Sequence, residues 1–490
     1  MRILFLYPRD NGEGQIPMGL SILCACLKQA GHTLKVFDTT FYPRIVLREM
    51  YESLGYLKKC DLREHGVIYH QEDPLEKFIE TAREFQPDLI GLSAVTYSFN
   101  LGMSLIEGLR REGIDTPVIV GGTHPTIVPE EVIQHELVDM VCVGEGEEAV
   151  VELCSLLDEG HAPTEVRNIW YKCRKSGRIY RNPVRPLIAL DKVPCPDWSY
   201  FSDMHLPRPF VGKVYRIGHV ERSRGCPYQC SYCASAHMQK LYRGKGVYHR
   251  EKSIGKVISE LRYLREKHNI EMIRFWDDTF LAMGRERFLE FSDTYRKEIG
   301  LPFMISTRPE TVTQERIAIL KEMGVAAISM GIESGCERIR REVLNRKIKD
   351  ETILRAFQIV REAGIRVTAF NMVGLPTETR KDVFKTIDLN RKARPDTTTA
   401  NLMYPYPGTA IRTMCLDMGL VPDDIPTVDH NEESVLHLPD IDQEELLGLQ
   451  RMFTFYTRVP RAFFPLVRIC EKQNGLSKVL TPVLRNICFH

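Results

Sequence analysis

No run of this chain approaches the roughly 18 consecutive apolar residues that a spanning helix needs, so no transmembrane segment is expected. The opening stretch, MRILFLYPRDNG, holds only a short apolar run before Tyr7 and Pro8, too little for the h-region of a secretory signal. A cytoplasmic protein with reduced thiols is therefore expected. Charge of one sign is missing as well. The 66 Lys and Arg against 65 Asp and Glu leave +1, which gives no global electrostatic reason to expect nucleic acid. Near-exact internal repeats and low-complexity runs are absent, so the chain is not read as a repeat array.

What is present fits an ordinary globular protein: 43% hydrophobic and 27% charged residues over 490 positions, enough for two or three domains. Strand patterns at 2–6, 33–38, 88–95, 117–122 and 138–143 alternate with helical spacing, including a helix over 73–86 with Asp73 as its cap and Pro74 in its first turn. Such alternation implies a parallel sheet covered on both faces, a doubly wound α/β domain over residues 1–160. Residues 161–215 read as a linker with a hairpin around Lys175-Ser176-Gly177. From 216 to 440 the alternation resumes, with strands expected at 219–224, 272–276, 303–307, 327–332, 366–373 and 398–403. Six βα units predict a partial (β/α)6 barrel, with its chemistry at the carboxyl ends of the strands. A helical tail, 441–490, closes the chain.

Of the fourteen cysteines, three crowd into RSRGCPYQCSYCAS, residues 222–235. In a reducing compartment such a cluster points to a metal or to catalysis rather than to disulfides. Cys226, Cys230 and Cys233 lack a nearby fourth cysteine. A closed zinc site would need Cys195, His237 or His249 to fold back. Three thiolates can instead hold three irons of a 4Fe-4S cluster and leave the fourth iron open. The CxxxCxxC spacing, with Arg224-Gly225 before it and Tyr232 before the last cysteine, resembles the signature loop of the radical S-adenosylmethionine (SAM) superfamily. The resemblance implies that the amino and carboxylate groups of SAM chelate the open iron.

Later strand ends extend the resemblance. MGIESG (330–335) is similar to the family's SAM-contacting strand, which makes Glu333 and Ser334 candidate contacts; the plain alternative is a helix cap. FNMVGLPTET (370–379) is similar to the fifth-strand motif that approaches adenine, bringing in Asn371, Gly374 and Pro376; YPYPGT (404–409) recurs after the sixth. Tyr232 would pack on the purine, and Arg308 would pair with the SAM carboxylate through its fork. FWDDTF (275–280) places Asp277 and Asp278 at the second strand end as candidate catalytic groups, with only one expected to face the barrel.

In the N-terminal domain, small residues gather at successive strand ends: Pro17, Gly19 and Leu20; Ser93 and Thr96; Gly121, Gly122, Thr123 and His124; Gly144, Glu145 and Gly146. Ligands of open α/β sheets bind at that edge. Together the four stretches resemble the cobalamin-binding domain of cobalamin-dependent radical SAM proteins. One departure stands out: YPRDNGEGQIPMG after the first strand lacks the DxHxxG histidine that ligates cobalt in some such domains. No GxGxxG follows that strand either, which disfavours a dinucleotide.

The resemblance implies an enzyme in which a 4Fe-4S cluster splits SAM to a 5′-deoxyadenosyl radical and methylcobalamin supplies a methyl group to an unactivated carbon. The expected partners are a small-molecule or lipid substrate and an electron donor such as flavodoxin or ferredoxin. Two alternatives carry different predictions: a non-methylating cyclase or rearrangement enzyme, and a non-catalytic cobalamin- or zinc-binding regulator. A methylthiotransferase is disfavoured, since the resemblance would then imply a differently patterned cysteine domain at the N-terminus. The tail sets seven Lys and Arg against Glu471 across residues 451–490 and interleaves aromatics. It reads either as a helical cap on the barrel or as a peripheral membrane contact, and prolines 460, 465 and 482 are expected to break it up.

Overall fold

The computed structural model describes residues 1–44, 46–53, 59–425, 433–472 and 474–489. Parts of the expected barrel (426–432) and tail (473 and 490) thus lie outside the described residues. The chain divides into two compact units: Met1–Glu221 with His237–Met272, and Arg222–Ala236 with Ile273–His490. The cysteine loop belongs to the second, although residues on both sides of it belong to the first.

The first unit is built on β1 (Arg2–Tyr7), β2 (Thr33–Asp38), β3 (Leu89–Ser93), β4 (Val118–Gly121) and β5 (Met140–Cys142), all parallel, in the order β2-β1-β3-β4-β5. The apolar runs that mark these strands are buried on both faces, as covered parallel strands must be: Ile3, Leu4 and Leu6 of β1 have no exposed surface. The helix Pro74–Phe85 starts where expected, with Asp73 accepting a hydrogen bond from the Leu75 amide at 2.8 Å. The expected hairpin forms as β6 (Ile169–Lys172) and β7 (Ile179–Arg181) and extends the sheet edge antiparallel to β5. A second hairpin, β8 (Pro207–Phe210) and β9 (Lys213–Val220), follows. The order 2-1-3-4 reverses the direction in which successive strands are added between β1 and β3, and ligands of such sheets bind beyond the carboxyl ends of the strands at that point.

After the two-residue strands β10 (Ser223–Arg224) and β11 (Arg250–Glu251), the second unit carries β12 (Met272–Phe275), β13 (Phe303–Thr307), β14 (Val325–Glu333), β15 (Arg366–Val373) and β16 (Thr397–Leu402). These are parallel and adjacent in sequence order, a half-barrel sheet with helices between successive strands. Phe275, Phe280, Phe291, Tyr295 and Phe303 interlock under it, with ring centroids 5.0–6.3 Å apart. The tail folds as helices Gln443–Arg458, Phe464–Glu471 and Gly475–Phe489. Pro460 and Pro465 fall at helix boundaries as expected, but Pro482 lies inside the last helix instead of ending it. No helix among the described residues is long and apolar enough to cross a membrane.

The turn after β15 is held by a buried acid. Glu378 is 1% exposed and accepts from the Gly374 and Leu375 amides at 2.8 and 3.1 Å. Burial pushes its carboxyl up to about 8. Between the ordinary glutamate range and pH 8 the folded chain therefore keeps a proton that the unfolded chain has lost, so stability falls as pH rises through this window. Glu378→Gln should flatten that fall, by on the order of 1.4 kcal/mol per pH unit removed. Chemical denaturation of both proteins from pH 5 to 8 measures it.

Candidate active site

The cysteine loop is pinned from several directions within the second unit. Ser231 donates to the Val343 carbonyl at 2.5 Å, and its amide donates to Leu344 O at 3.2 Å. Asn345 Nδ2 reaches Gln229 O at 2.7 Å, and the Ile411 amide donates to Ser231 O at 3.0 Å. At its entry the loop rests on Asp277, which is 2% exposed. That carboxylate accepts from the Ser223 hydroxyl and pairs with the Arg222 guanidinium at 3.1 Å, itself 1% exposed and stacked over Phe280. Of the vicinal aspartates, Asp277 is thus buried and spent on holding the loop, while Asp278 is exposed. As a candidate catalytic base Asp277 is corrected to a positioning residue, because its oxygens already face an arginine and a hydroxyl.

The three thiols have distinct surroundings. Cys230 is buried and receives a hydrogen bond from Arg308 Nη1 at 3.0 Å; the same guanidinium stacks 3.9 Å from the Tyr228 ring centroid and pairs with Glu310 at 2.5 Å. Cys226 Sγ lies 3.7 Å from the Thr279 hydroxyl. Burial is the largest influence on the Cys226 and Cys233 thiols and pushes both upward. Among the described residues no group of three or more His, Cys, Asp or Glu side chains is placed to hold a single metal ion, the three thiols included. A cubane cluster spans a wider set of thiols, and a short loop with one arginine N–H aimed at a sulfur suits it.

Glu333 ends β14 in a left-handed conformation, φ 64°, at a register shift against β15. A glutamate held there is strained. Two contacts hold it: the Tyr232 hydroxyl donates at 3.2 Å, and Arg346 Nη1 at 3.0 Å. Burial raises the Glu333 carboxyl, and Arg346 opposes that rise. Tyr232, Arg308 and Glu333 therefore converge on the cysteine loop.

The other expected SAM contacts do not. Ser334 is fully buried, and its hydroxyl accepts from the Cys336 amide at 3.2 Å, a local cap. Asn371 turns to the helix-covered face of β15, where it exchanges hydrogen bonds with Asn390 and donates to Thr399 O at 3.0 Å. The alternation of the strand decides this: Val367, Ala369, Asn371 and Val373 share the buried face. Gly374 and Pro376 are buried in the turn that Glu378 holds. Only their backbone could approach a ligand.

At the sheet edge of the first unit, Gly19 is exposed with open space at its Cα, and Ser93 and Thr96 present hydroxyls. Gly121, Gly122 and Thr123 follow β4. Gly122 adopts φ 109°, and a Cβ there would strike the Ala94 carbonyl, so only glycine lets the β3 and β4 loops approach so closely. Val95 and Tyr97, which sequence reasoning missed, are 39% and 45% exposed at the same edge. Their signal was weak, since apolar residues at a strand end look like core. Large apolar side chains beside small hydroxyls suit a broad, partly apolar macrocycle with polar side chains. His124 is buried, packs on Phe99 with ring centroids 4.7 Å apart, and lies 3.3 Å from the Thr96 hydroxyl. Burial lowers it to about 4, and its Nε2 has no hydrogen-bond partner. Leu20 is 4% exposed in the core and is corrected to a packing residue. Pro17 begins the helix Met18–Gln29. Glu145 is engaged elsewhere: it pairs with Arg250 at 2.5 Å, its amide donates to Tyr242 Oη at 2.8 Å, and its carboxylate accepts from the Ile188 amide. Gly144 and Gly146 flank it in that same turn.

Comparison with known proteins matches both units. The Radical SAM superfamily model covers residues 220–389, and the B12 binding domain model covers residues 13–154. An uncharacterized methyltransferase of Pyrococcus horikoshii is 28% identical over 73% of this chain and 76% of its own. Cytidylyl-2-hydroxyethylphosphonate methyltransferase of Streptomyces wedmorensis is 24% identical over 94% and 90%. The anaerobic magnesium-protoporphyrin IX monomethyl ester cyclase of Rubrivivax gelatinosus is 23% identical over 99% and 83%. Among solved structures, the cobalamin-dependent S-adenosylmethionine radical enzyme OxsB, with aqua-cobalamin and S-adenosylmethionine bound, superposes with a TM-score of 0.69 at 16% identity, over 99% of this chain and 71% of that one.

Proposed function

Because this chain belongs to the cobalamin-binding radical SAM family and is a cobalamin-dependent radical SAM enzyme, we propose that it is a C-methyltransferase acting on an unactivated carbon of a small or lipophilic metabolite. The observation that carries the reading is the convergence of Tyr232, Arg308 and Glu333 on a loop bearing Cys226, Cys230 and Cys233. The family's cofactors, when bound, supply one-electron cleavage of the SAM sulfonium and a transferable methyl group on cobalt.

The protein's part is binding, orientation and exclusion of water. Cys226, Cys230 and Cys233 would hold the cluster. Arg308 steadies Cys230, and the N–H groups it does not spend on Cys230 and Glu310 would serve the SAM carboxylate. Glu333, strained and facing the loop, would accept hydrogen bonds from the SAM amino group or ribose, with Tyr232 on the adenine side. Asp277 keeps Arg222 and Ser223 in place, and with them the start of the loop. At the B12-binding edge, Gly19, Ser93, Val95, Thr96, Tyr97, Gly121, Gly122 and Thr123 line the cofactor, with no histidine following β1. A reductant is needed, and a flavodoxin or ferredoxin fits that role. The two methyltransferases among the relatives support methyl transfer; the cyclase supports the same cofactors with a different outcome. Incubation with trideuteromethyl-SAM separates the two. A product heavier by the labelled methyl is expected, whereas turnover of SAM with an unlabelled, rearranged product would sink methyl transfer.

A further inference from the structure

The segment after Val459 offers solvent a surface without acids. Its single acidic residue, Glu471, is 6% exposed and enclosed by Arg380 at 2.6 Å and the Tyr456 hydroxyl at 2.5 Å. Arg468, Lys472 and Lys478 are exposed, as is Arg461, which pairs with Asp388 at 2.8 Å. Beside them stand exposed apolar side chains: Leu466 at 38%, Leu476 at 54%, Val479 at 66% and Val483 at 53%. Leu476, Val479 and Val483 recur at spacings of three and four along the helix Gly475–Phe489, so they form one stripe. Its other side faces the protein through Ser477 and Leu484, both buried. The helix thus carries one apolar stripe that the protein does not cover.

Single exposed leucines need no explanation, but an exposed apolar stripe in a segment whose own exposed charges are all cations does. The earlier part of the tail accounts for itself as a cap: Arg451 donates to Glu471 O, Arg458 to Asp396 O, and Met452, Phe453, Phe455 and Tyr456 are buried. The last two helices do not. An acidic protein would complement the cations yet leave three aliphatic side chains facing charge. An anionic lipid surface complements both, taking the apolar stripe into the acyl boundary and the ammonium and guanidinium groups at the headgroups.

We propose that the helices Phe464–Glu471 and Gly475–Phe489 dock this enzyme peripherally on an anionic bilayer, with Leu466, Leu476, Val479 and Val483 inserted and Arg468, Lys472 and Lys478 at the phosphates. The inference is independent of the reaction catalysed. Each cation near such a surface multiplies partitioning about fivefold, and each buried aliphatic side chain contributes at least as much.

Cosedimentation of the full-length holoenzyme with vesicles tests it. The protein should pellet with phosphatidylcholine vesicles containing phosphatidylglycerol and stay in solution with phosphatidylcholine alone, and added salt should weaken the binding. Val479→Asp/Val483→Asp and Arg468→Glu/Lys478→Glu should each cut partitioning by tenfold or more. All four positions are exposed, so thermal unfolding should be unchanged, which separates lost docking from lost fold. No binding to the anionic vesicles overturns the proposal. So does binding that both variants retain, or a flavodoxin-type acidic protein that binds this face while vesicles do not.

Discussion

Replacing Cys226, Cys230 and Cys233 together by alanine is expected to abolish iron–sulfur loading and to bring 5′-deoxyadenosine formation down to background. The physical reason is that these three thiols are the ligands the loop would supply, and alanine offers no donor atom in their place. Arg308→Ala gives the graded version. Its N–H sits 3.0 Å from Cys230 Sγ, and loss of a hydrogen bond to a metal ligand typically costs about 10–100-fold in affinity or activity. Arg308→Lys should recover little, because an ammonium cannot serve Cys230, Glu310 and a carboxylate at once while stacking on Tyr228. Iron and sulfide analysis beside 5′-deoxyadenosine quantitation reads both effects. Full cluster loading in the triple variant would contradict the assignment of the ligands.

The second large effect is on the fold. Asp277→Ala should destabilise the protein by about 3–5 kcal/mol, because it removes the carboxylate that pairs with the Arg222 guanidinium in an interior where that residue is 1% exposed. Asp277→Asn keeps one acceptor oxygen where the carboxylate uses two, Oδ1 for the Ser223 hydroxyl and Oδ2 for the Arg222 amide, and should cost less than alanine. Since both partners sit at the entry to the cysteine loop, Asp277→Ala should also reduce iron content after anaerobic reconstitution, with Asp277→Asn between it and the unmodified protein. Denaturant midpoints and iron stoichiometry measured on the same samples decide it. Unchanged stability in the alanine variant would mean that Arg222 finds another partner.

These two cases mark what was legible in the sequence. The cysteine loop could be read directly, since three thiols packed into so short a span suit a metal or cluster and little else. Parallel strands such as β1 and β3 were legible because burial on both faces leaves an uninterrupted apolar run. Asp277 and Asn371 were not, because their roles depend on which way one side chain turns at a strand end, and on partners such as Arg222 and Asn390 that a chain fold brings near from 55 and 19 residues away. Arg346 was missed for the same reason: a lone arginine beyond a helix looks like solvent-facing charge, yet it is 2% exposed and braces Glu333. Glu145 looked like a ligand contact because it sits between two glycines, but Arg250 and Tyr242 claim it. In the tail, Pro482 was expected to end a helix. It lies in one because the loss of one backbone donor there is tolerated on an exposed face.

Methyl transfer as proposed requires the B12-binding and radical SAM regions to serve one turnover. The stoichiometry of SAM products from anaerobically reconstituted protein, with and without cobalamin, in the presence of a methylated substrate's precursor, measures this. Equimolar 5′-deoxyadenosine and S-adenosylhomocysteine, matched by methylated product, are expected, with both product and S-adenosylhomocysteine lost when cobalamin is left out. Formation of 5′-deoxyadenosine and product at the same rate without cobalamin, and without S-adenosylhomocysteine, would contradict it.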